Sequence, residues 1–260
     1  MQIPCGGVAF FDSGIGGLTV MAECRKRIPT GDFYYYGDNL RAPYGNLPPE
    51  KIYDYVEEAF DEFTRLQVCA AVVACNTATA VCIERLRKKY SFPIIGAEPA
   101  VLPAVKRGGK VLVLSTVATS ESARFTRLCE TARTNFPNAA LVVAPCPTLA
   151  GGIEKHVLEN GYDYASLFPR FSPTAVVLGC THYIYVKKQI QNFYQCPVFD
   201  GNEGIASRLF HTLSTLENRP FDENDRDEQP LVTTARPPQN YFLGEEKMQN
   251  LRVFEHMFAK

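Results

Sequence analysis

Short apolar runs alternate with amphipathic stretches along the first third of the chain. VAFFDSG precedes Leu18 to Ile28, FYYYGD precedes Pro48 to Leu66, and AAVVACNT precedes Ala78 to Tyr90. This alternation predicts the βαβα order of a largely parallel sheet covered by helices. The clearest helix follows Pro48-Pro49, where proline suits a first turn; its predicted inner face carries Ile52, Tyr55, Val56, Ala59, Phe63 and Leu66. A second series opens at Lys110 with VLVLST, continues through LVVAP and reaches TAVVLGCTHY at 174–183.

The second series reads as a copy of the first. Asp12 closes the first strand 63 residues before Cys75, and Thr116 closes its counterpart 64 residues before Cys180. Each cysteine is followed by a helix-length segment and a proline-led strand, with Glu98 and Glu203 each 23 residues beyond their cysteine. These offsets predict an α/β fold of two similar parallel-sheet domains related by a pseudo-two-fold axis, with the active site between them. The boundary falls near 96–109, giving residues 1–98 plus 206–260 as the first domain and 99–205 as the second. Ligands of open α/β sheets bind beyond the carboxyl ends of the strands, which puts Asp12, Cys75, Thr116 and Cys180 at the site. The polar stretch 217–230, ENRPFDENDRDEQP, reads as an exposed loop before a last strand and helix that pack on either half.

Charge and composition narrow the function. With 27 basic and 28 acidic residues the formal net charge is -1, so nothing electrostatic favours a nucleic acid or an anionic membrane. No basic segment followed by an apolar one opens the chain, and no apolar run is long enough to cross a bilayer, so a soluble cytoplasmic protein is expected. The nine cysteines are odd in number in a long chain with no export signal, and read as free thiols. There is no C-x-x-C, and Cys180-x-His182 alone does not make a metal site, so no metal is expected.

Cys75 and Cys180 stand apart from the other seven cysteines, at 5, 24, 69, 82, 129, 146 and 196, which read as packing residues. Each ends an apolar strand and precedes helix-initiating polar residues, Asn76-Thr77 and Thr181-His182. A thiol there meets the positive end of a helix, which lowers its pKa, and the N–H groups of the same helix start suit a substrate carboxylate. The DSGIGG turn at 12–17 lacks the third glycine of a dinucleotide fingerprint and the Gly-Lys-Ser/Thr of a P-loop. Its glycines instead bring backbone amides close to a small anion such as a carboxylate. Asp12 at that turn is either a cap or a group that orients a thiol or a substrate ammonium. The loop with Asp38, Arg41, Pro43, Tyr44 and Gly45 reads equally as an ordered turn with a structural salt bridge. His182 is the only histidine beside a candidate thiol; His156, His211 and His256 are incidental.

Taken together, DSGIGGLTV, YYGDNLRAPYG, VVACNTATA, GAEPA and LGCTHY resemble, in order and spacing, the bacterial glutamate racemase family of cofactor-independent amino-acid racemases. The resemblance spans about residues 8–205. It implies interconversion of L- and D-glutamate for peptidoglycan synthesis, no cofactor, glutamate as the small-molecule partner, and a homodimer. It makes Cys75 and Cys180 the proton donor and acceptor, with Cys75 serving the D form and Cys180 the L form. Asp12, His182 and Glu154, in GGIEKH, would assist. Substrate contacts would come from Asp12, Ser13, Tyr44, Gly45, Asn76, Thr77, Thr119, Thr181 and His182, with Thr116 the alternative to Thr119. PVFDGNEG departs from the family pattern of a serine and small residues after the aspartate, so no role is carried to Asp200. The first strand lies almost at the start of the chain, so an activator site built from a longer N-terminal extension is not expected.

Chemistry gives independent support for a pair of thiols. Inverting a stereocentre requires removing a proton from one face and delivering one to the other, so two acid-base groups on opposite sides are needed. Three rivals differ in what they require. An aspartate racemase would keep the thiols and change the side-chain contacts. A thiol hydrolase would use one cysteine and not need the second. A non-catalytic protein-binding role would leave the paired thiols without a purpose.

Overall fold

The computed structural model describes residues 7–28, 31–159, 161–216, 239–244 and 247–258. The 217–230 segment and Cys5 lie outside the described residues.

The first sheet is built from β1 (Val8–Asp12), β2 (Asp32–Gly37), β3 (Ala70–Val73), β4 (Ile94–Gly96) and β9 (Gln239–Leu243), in the order β4-β3-β1-β2-β9. The second contains β5 (Gly109–Ser115), β6 (Ala139–Pro145), β7 (Ala175–Gly179) and β8 (Val198–Phe199), in the order β6-β5-β7-β8. Every pairing is parallel. Read from its β8 edge, the second sheet repeats the first with β9 removed, which is the duplication the sequence offsets predicted. The last strand, β9, adds to the outer edge of the first sheet beside β2, where Tyr241 stacks on Tyr34.

The central strands are apolar up to their carboxyl ends because helices cover both faces. VAFFD, AAVV and AVVLG are buried at every position. On the first sheet α1 (Gly17–Arg27) covers one face, and its Leu18 and Met21 share a core with Ile205, Leu209 and Leu213 of α9 (Asn202–Leu216). The other face carries α2 (Pro49–Arg65) and α3 (Asn76–Lys89). The inner face of α2 is Ile52, Tyr53, Val56, Ala59, Phe60 and Phe63. Tyr55 and Leu66, predicted to face inward, are half-buried, because the helix is rotated so that Tyr53 and Phe60 point to the sheet. The second sheet carries α4 (Val101–Val105) and α6 (Ala123–Asn135) on one face, and α7 (Leu149–His156) with α8 (Lys187–Tyr194) on the other.

The chain passes between the sheets twice, after β4 and after β8. The two passages touch: a Cβ on Gly201 would lie 2.7 Å from the Glu98 carbonyl oxygen. Both sheets therefore present their carboxyl ends to the same interface.

Candidate active site

Four strand ends converge there. Asp12 ends β1, fully buried, and its Oδ1 accepts a hydrogen bond from Gly14 N at 3.0 Å. Its Oδ2 accepts from Thr181 Oγ1, on the other half, at 3.0 Å. Cys75 follows β3 and caps α3: its Sγ accepts from Ala78 N at 3.4 Å and donates to Ser13 Oγ at 3.4 Å. Cys180 follows β7, with Sγ 3.7 Å from His182 Nδ1. His182 Nε2 is 2.9 Å from Glu154 Oε1, on α7. Thr77 of the first half meets Thr116 and Thr119 of the second at 2.9 and 3.3 Å.

The two thiols differ in surroundings. Burial, and then the charge of Asp12, push the Cys75 thiol up to about 12 against the Ser13 and Ala78 hydrogen bonds, with Cys180 adding least. The sequence expectation of a thiol acidified by a helix start fails here, because loss of water around a fully enclosed sulfur outweighs one long N–H contact. Cys180 is not followed directly by an α-helix at all. Thr181–Val186 forms a 3-10 helix and α8 begins only at Lys187. Its neighbour is His182 instead. Burial lowers the His182 pKa, but Glu154, and then Cys180, outweigh this and hold it well above the ordinary histidine value. An imidazolium donates from both nitrogens, so Nδ1–H faces the Cys180 sulfur while Nε2–H is held by Glu154.

The glycine-rich turn does bind a carboxylate, as its sequence suggests, but the carboxylate is the protein's own. Ile15 N donates to Glu154 Oε1 at 2.9 Å, across the interface between the halves. A Cβ on Gly14 would lie 1.6 Å from that oxygen, and one on Gly16 would lie 2.3 Å from Thr181 Oγ1. At Gly16 the His182 backbone nitrogen, 2.8 Å from such a Cβ, leaves no room for a side chain, whereas at Gly14 a side chain would displace the Glu154 carboxylate.

Among the residues carried over from the sequence, Asp12, Ser13, Cys75, Thr77, Thr119, Glu154, Cys180, Thr181 and His182 are drawn together by these contacts. Asn76 is buried, and its Oδ1 meets no hydrogen-bond partner among the described residues. It lines, with Cys180 and Thr181, a cavity of about 10 Å³. Tyr44 and Gly45 pack at the edge, where a Cβ on Gly45 would lie 2.9 Å from Thr116 Cβ. The Tyr44 hydroxyl is committed to Asp38 Oδ2 at 2.5 Å, and Arg41 pairs with the same carboxylate at 3.3 Å, the structural salt bridge read from the loop. Asp200 lines the small cavity and pairs with Lys187 at 2.6 Å. A much larger concavity, about 1370 Å³, is an open groove over the two inter-sheet passages. It meets the small cavity only at Glu98, Asp200, Gly201 and Ile205, and neither thiol lines it.

Two site residues escaped the sequence reading. Tyr35 OH donates to Gly14 O at 2.6 Å, and Tyr185 OH donates to Ile15 O at 2.8 Å. The available signal was weak: Tyr35 sits at an inward position of β2, where a phenol needs a polar partner.

Two duplicated parallel sheets that each deliver a thiol and a hydroxyl set to one enclosed interface define a class of two-domain α/β isomerases. The comparisons agree. The sequence pattern of Asp/Glu/Hydantoin racemases matches residues 19–209, and the chain belongs to that family. It is 36% identical over 227 residues to a glutamate racemase of Clostridium acetobutylicum, covering 84% of this chain and 88% of the relative. It is 38% identical over 217 residues to a glutamate racemase of Clostridium botulinum strain Kyoto, covering 79% and 83%. The crystal structure of a glutamate racemase isoform from Bacillus anthracis superimposes with a TM-score of 0.74 at 25% identity, covering 98% of this chain and 93% of that one. The family resemblance and the two-domain fold expected from the sequence are thus borne out. Among the described residues no helix is long and apolar enough to cross a membrane.

Proposed function

We propose that the protein interconverts L- and D-glutamate without a cofactor, with Cys75 and Cys180 as the two proton-transfer groups. The observation that carries this reading is the arrival of both buried sulfurs, one from each half, at one interface: Cys75 Sγ donates to Ser13 Oγ, and the neighbouring Asp12 holds Thr181, the residue beside Cys180. The relatives from Clostridium acetobutylicum and Clostridium botulinum, each a glutamate racemase, support the substrate.

The different surroundings of the thiols suggest a division of labour. Cys75, enclosed beside Asp12, is held protonated and is ready to deliver a proton. Cys180, 3.7 Å from His182 Nδ1, is assigned as the sulfur that takes one. Substrate in its L form would meet Cys180 and in its D form Cys75, after the proton has moved between the sulfurs. Ser13, Asn76, Thr77, Thr119 and Thr181, with the orphan Asn76 Oδ1 as the clearest unpaired group, supply hydrogen bonds for the ammonium and carboxylates. General acid-base transfer is worth roughly 10²- to 10⁴-fold, so donors aimed at the developing carbanion must add the remainder. A cavity of about 10 Å³ holds about one water. The halves must therefore part to admit an amino acid and close around it, with residues 1–98 plus 206–260 and 99–205 as the two bodies. The wider reading, resting on family resemblance, is a cytoplasmic homodimer supplying D-glutamate for peptidoglycan.

The test is exchange of the α-proton in deuterated water, followed by nuclear magnetic resonance for L-glutamate, D-glutamate and both aspartates. Glutamate of either hand should exchange and racemise, and Cys75→Ala and Cys180→Ala should each abolish racemisation while the circular dichroism spectrum is retained. Exchange of aspartate but not glutamate overturns the substrate. Full activity in either cysteine variant overturns the two-thiol mechanism.

A further inference from the structure

The Cys180 side of the site is assembled from both halves, and the piece from the first half is a backbone turn. Glu154 and His182 lie on the second half, yet the Glu154 carboxylate is held by Ile15 N of the first at 2.9 Å. Four hydrogen bonds fix that turn. Asp12 Oδ1 accepts from Gly14 N at 3.0 Å, Tyr35 OH donates to Gly14 O at 2.6 Å, Tyr185 OH donates to Ile15 O at 2.8 Å, and Leu18 N donates to Ile15 O at 3.1 Å. With both carbonyls and the Gly14 amide occupied, the Ile15 N–H has one direction left, and it points at Glu154. The absence of a side chain at Gly14 leaves the space that the carboxylate fills, since a Cβ there would be 1.6 Å from Oε1 and 3.1 Å from His182 Nε2.

We propose that the Gly14-Ile15 turn is a positioning element for the reaction: by holding Glu154 against His182 only when the halves are closed, it completes the partner of the Cys180 thiol at the moment substrate is enclosed. The inference rests on the two-thiol racemase reading and deepens it. Glu154 Oε1 accepts two hydrogen bonds, from Ile15 N and from His182 Nε2; the first crosses between the halves, so separation would leave the carboxylate with a single contact about which it can pivot, no longer fixed in direction against His182. The remaining ionisable groups around this cluster are Asp12, Tyr35, Tyr185, Cys75 and Cys180. The two tyrosines are held neutral by burial, and Asp12 is occupied by Gly14 N and Thr181, so none replaces Glu154 as the partner of His182 Nε2. Ordinary contact distances require the carboxylate to retreat by more than an ångström if Gly14 gains a methyl group, and a displacement of that size costs on the order of 100-fold in rate.

The experiment is a double-variant cycle on kcat for glutamate racemisation, with Gly14→Ala, Glu154→Gln and both together, alongside pH profiles of kcat/KM and thermal unfolding. Gly14→Ala should lose on the order of 100-fold in kcat. Its pH profile should match that of Glu154→Gln and differ from wild type, and the double variant should be no slower than Glu154→Gln alone. Tyr185→Phe, which removes one hydrogen bond without adding bulk, should shift the profile in the same direction by a smaller amount. Multiplicative losses in the double variant, or a Gly14→Ala protein with the wild-type pH profile, overturn the inference. If Gly14→Ala does not fold, a Tyr185→Phe protein with wild-type kcat and profile overturns it equally. A wild-type protein that leaves glutamate's α-proton in place refutes the racemase reading instead, so the two failures are distinguishable.

Discussion

Asp12 offers a quantitative check on the interface, because its ionisation is set by competing effects that the structure identifies separately. Burial raises its pKa; His182, the Gly14 N–H and the Thr181 hydroxyl pull it down, and Glu154 pushes it up slightly, leaving it at about 6 against 3.8 for an ordinary aspartate. A folded-state pKa raised above the unfolded value means that the native protein binds the proton more tightly. The stabilisation is then full below about pH 3.8 and is lost as pH rises through about 6. A rise from 3.8 to about 6 corresponds to about 3 kcal/mol. Asp12→Asn is the neutral reference: its Oδ1 still accepts from Gly14, and the Thr181 hydroxyl can turn to accept from the new amide. Urea unfolding of both proteins between about pH 4 and pH 7.5 gives their stability difference at each pH. Wild type should lose about 3 kcal/mol relative to Asp12→Asn across that range, with the midpoint of the loss between the two pKa values. A flat difference, or a wild type that gains on the variant as pH rises, would show that His182 and the two hydrogen bonds outweigh burial, and the reasoning would be refuted.

Two further substitutions probe the contact between halves. Gly16→Ala would put a Cβ 2.3 Å from Thr181 Oγ1 and 2.8 Å from the His182 backbone nitrogen. A loss of about 1–3 kcal/mol in urea unfolding is expected, with a fall in racemisation rate, and an unchanged unfolding midpoint would count against the packing described. Thr116→Val removes the cap of α5 (Val117–Glu121), where Thr116 Oγ1 accepts from Thr119 N at 3.2 Å, and also takes one hydroxyl from the Thr77-Thr116-Thr119 cluster. It should cost about 1–2 kcal/mol, measured the same way.

Much of this architecture was legible because it depends on period and offset. Strand ends are set by apolar runs, so Asp12, Cys75 and Cys180 could be placed at one edge from the sequence, and the matched spacing joined the two thiols. The acidity of Cys75 was not legible in the same way. A helix start is visible in Asn76-Thr77, whereas the enclosure of the sulfur by the opposite half depends on tertiary packing. Glu154 was reached only through family resemblance: nothing in GGIEKH shows that its carboxylate crosses to the Ile15 amide. DSGIGG shows that backbone amides are exposed at the turn, but no local pattern shows that the carboxylate meeting the Ile15 amide is the chain's own Glu154. Tyr35 and Tyr185 were missed because a phenol among apolar neighbours looks like any packing residue until its hydroxyl is seen on a carbonyl.

The matching strand orders of the two sheets bear on how a chiral molecule handles mirror-image substrates. A chain of L-residues contains no reflection, so it cannot present enantiomers with mirror-image halves; a rotated copy of the same fold is the nearest substitute it can build. On the proposed mechanism rotation would bring a sulfur to each side of the carbon, yet it leaves one beside a serine and the other beside an imidazole. The even-handedness of the overall reaction then owes nothing to the likeness of the halves. It follows from the equal energies of the two enantiomers, which oblige any catalyst, however lopsided, to approach a one-to-one mixture. On the two-thiol reading, differences between the neighbours of the thiols set the rate and leave that equilibrium untouched.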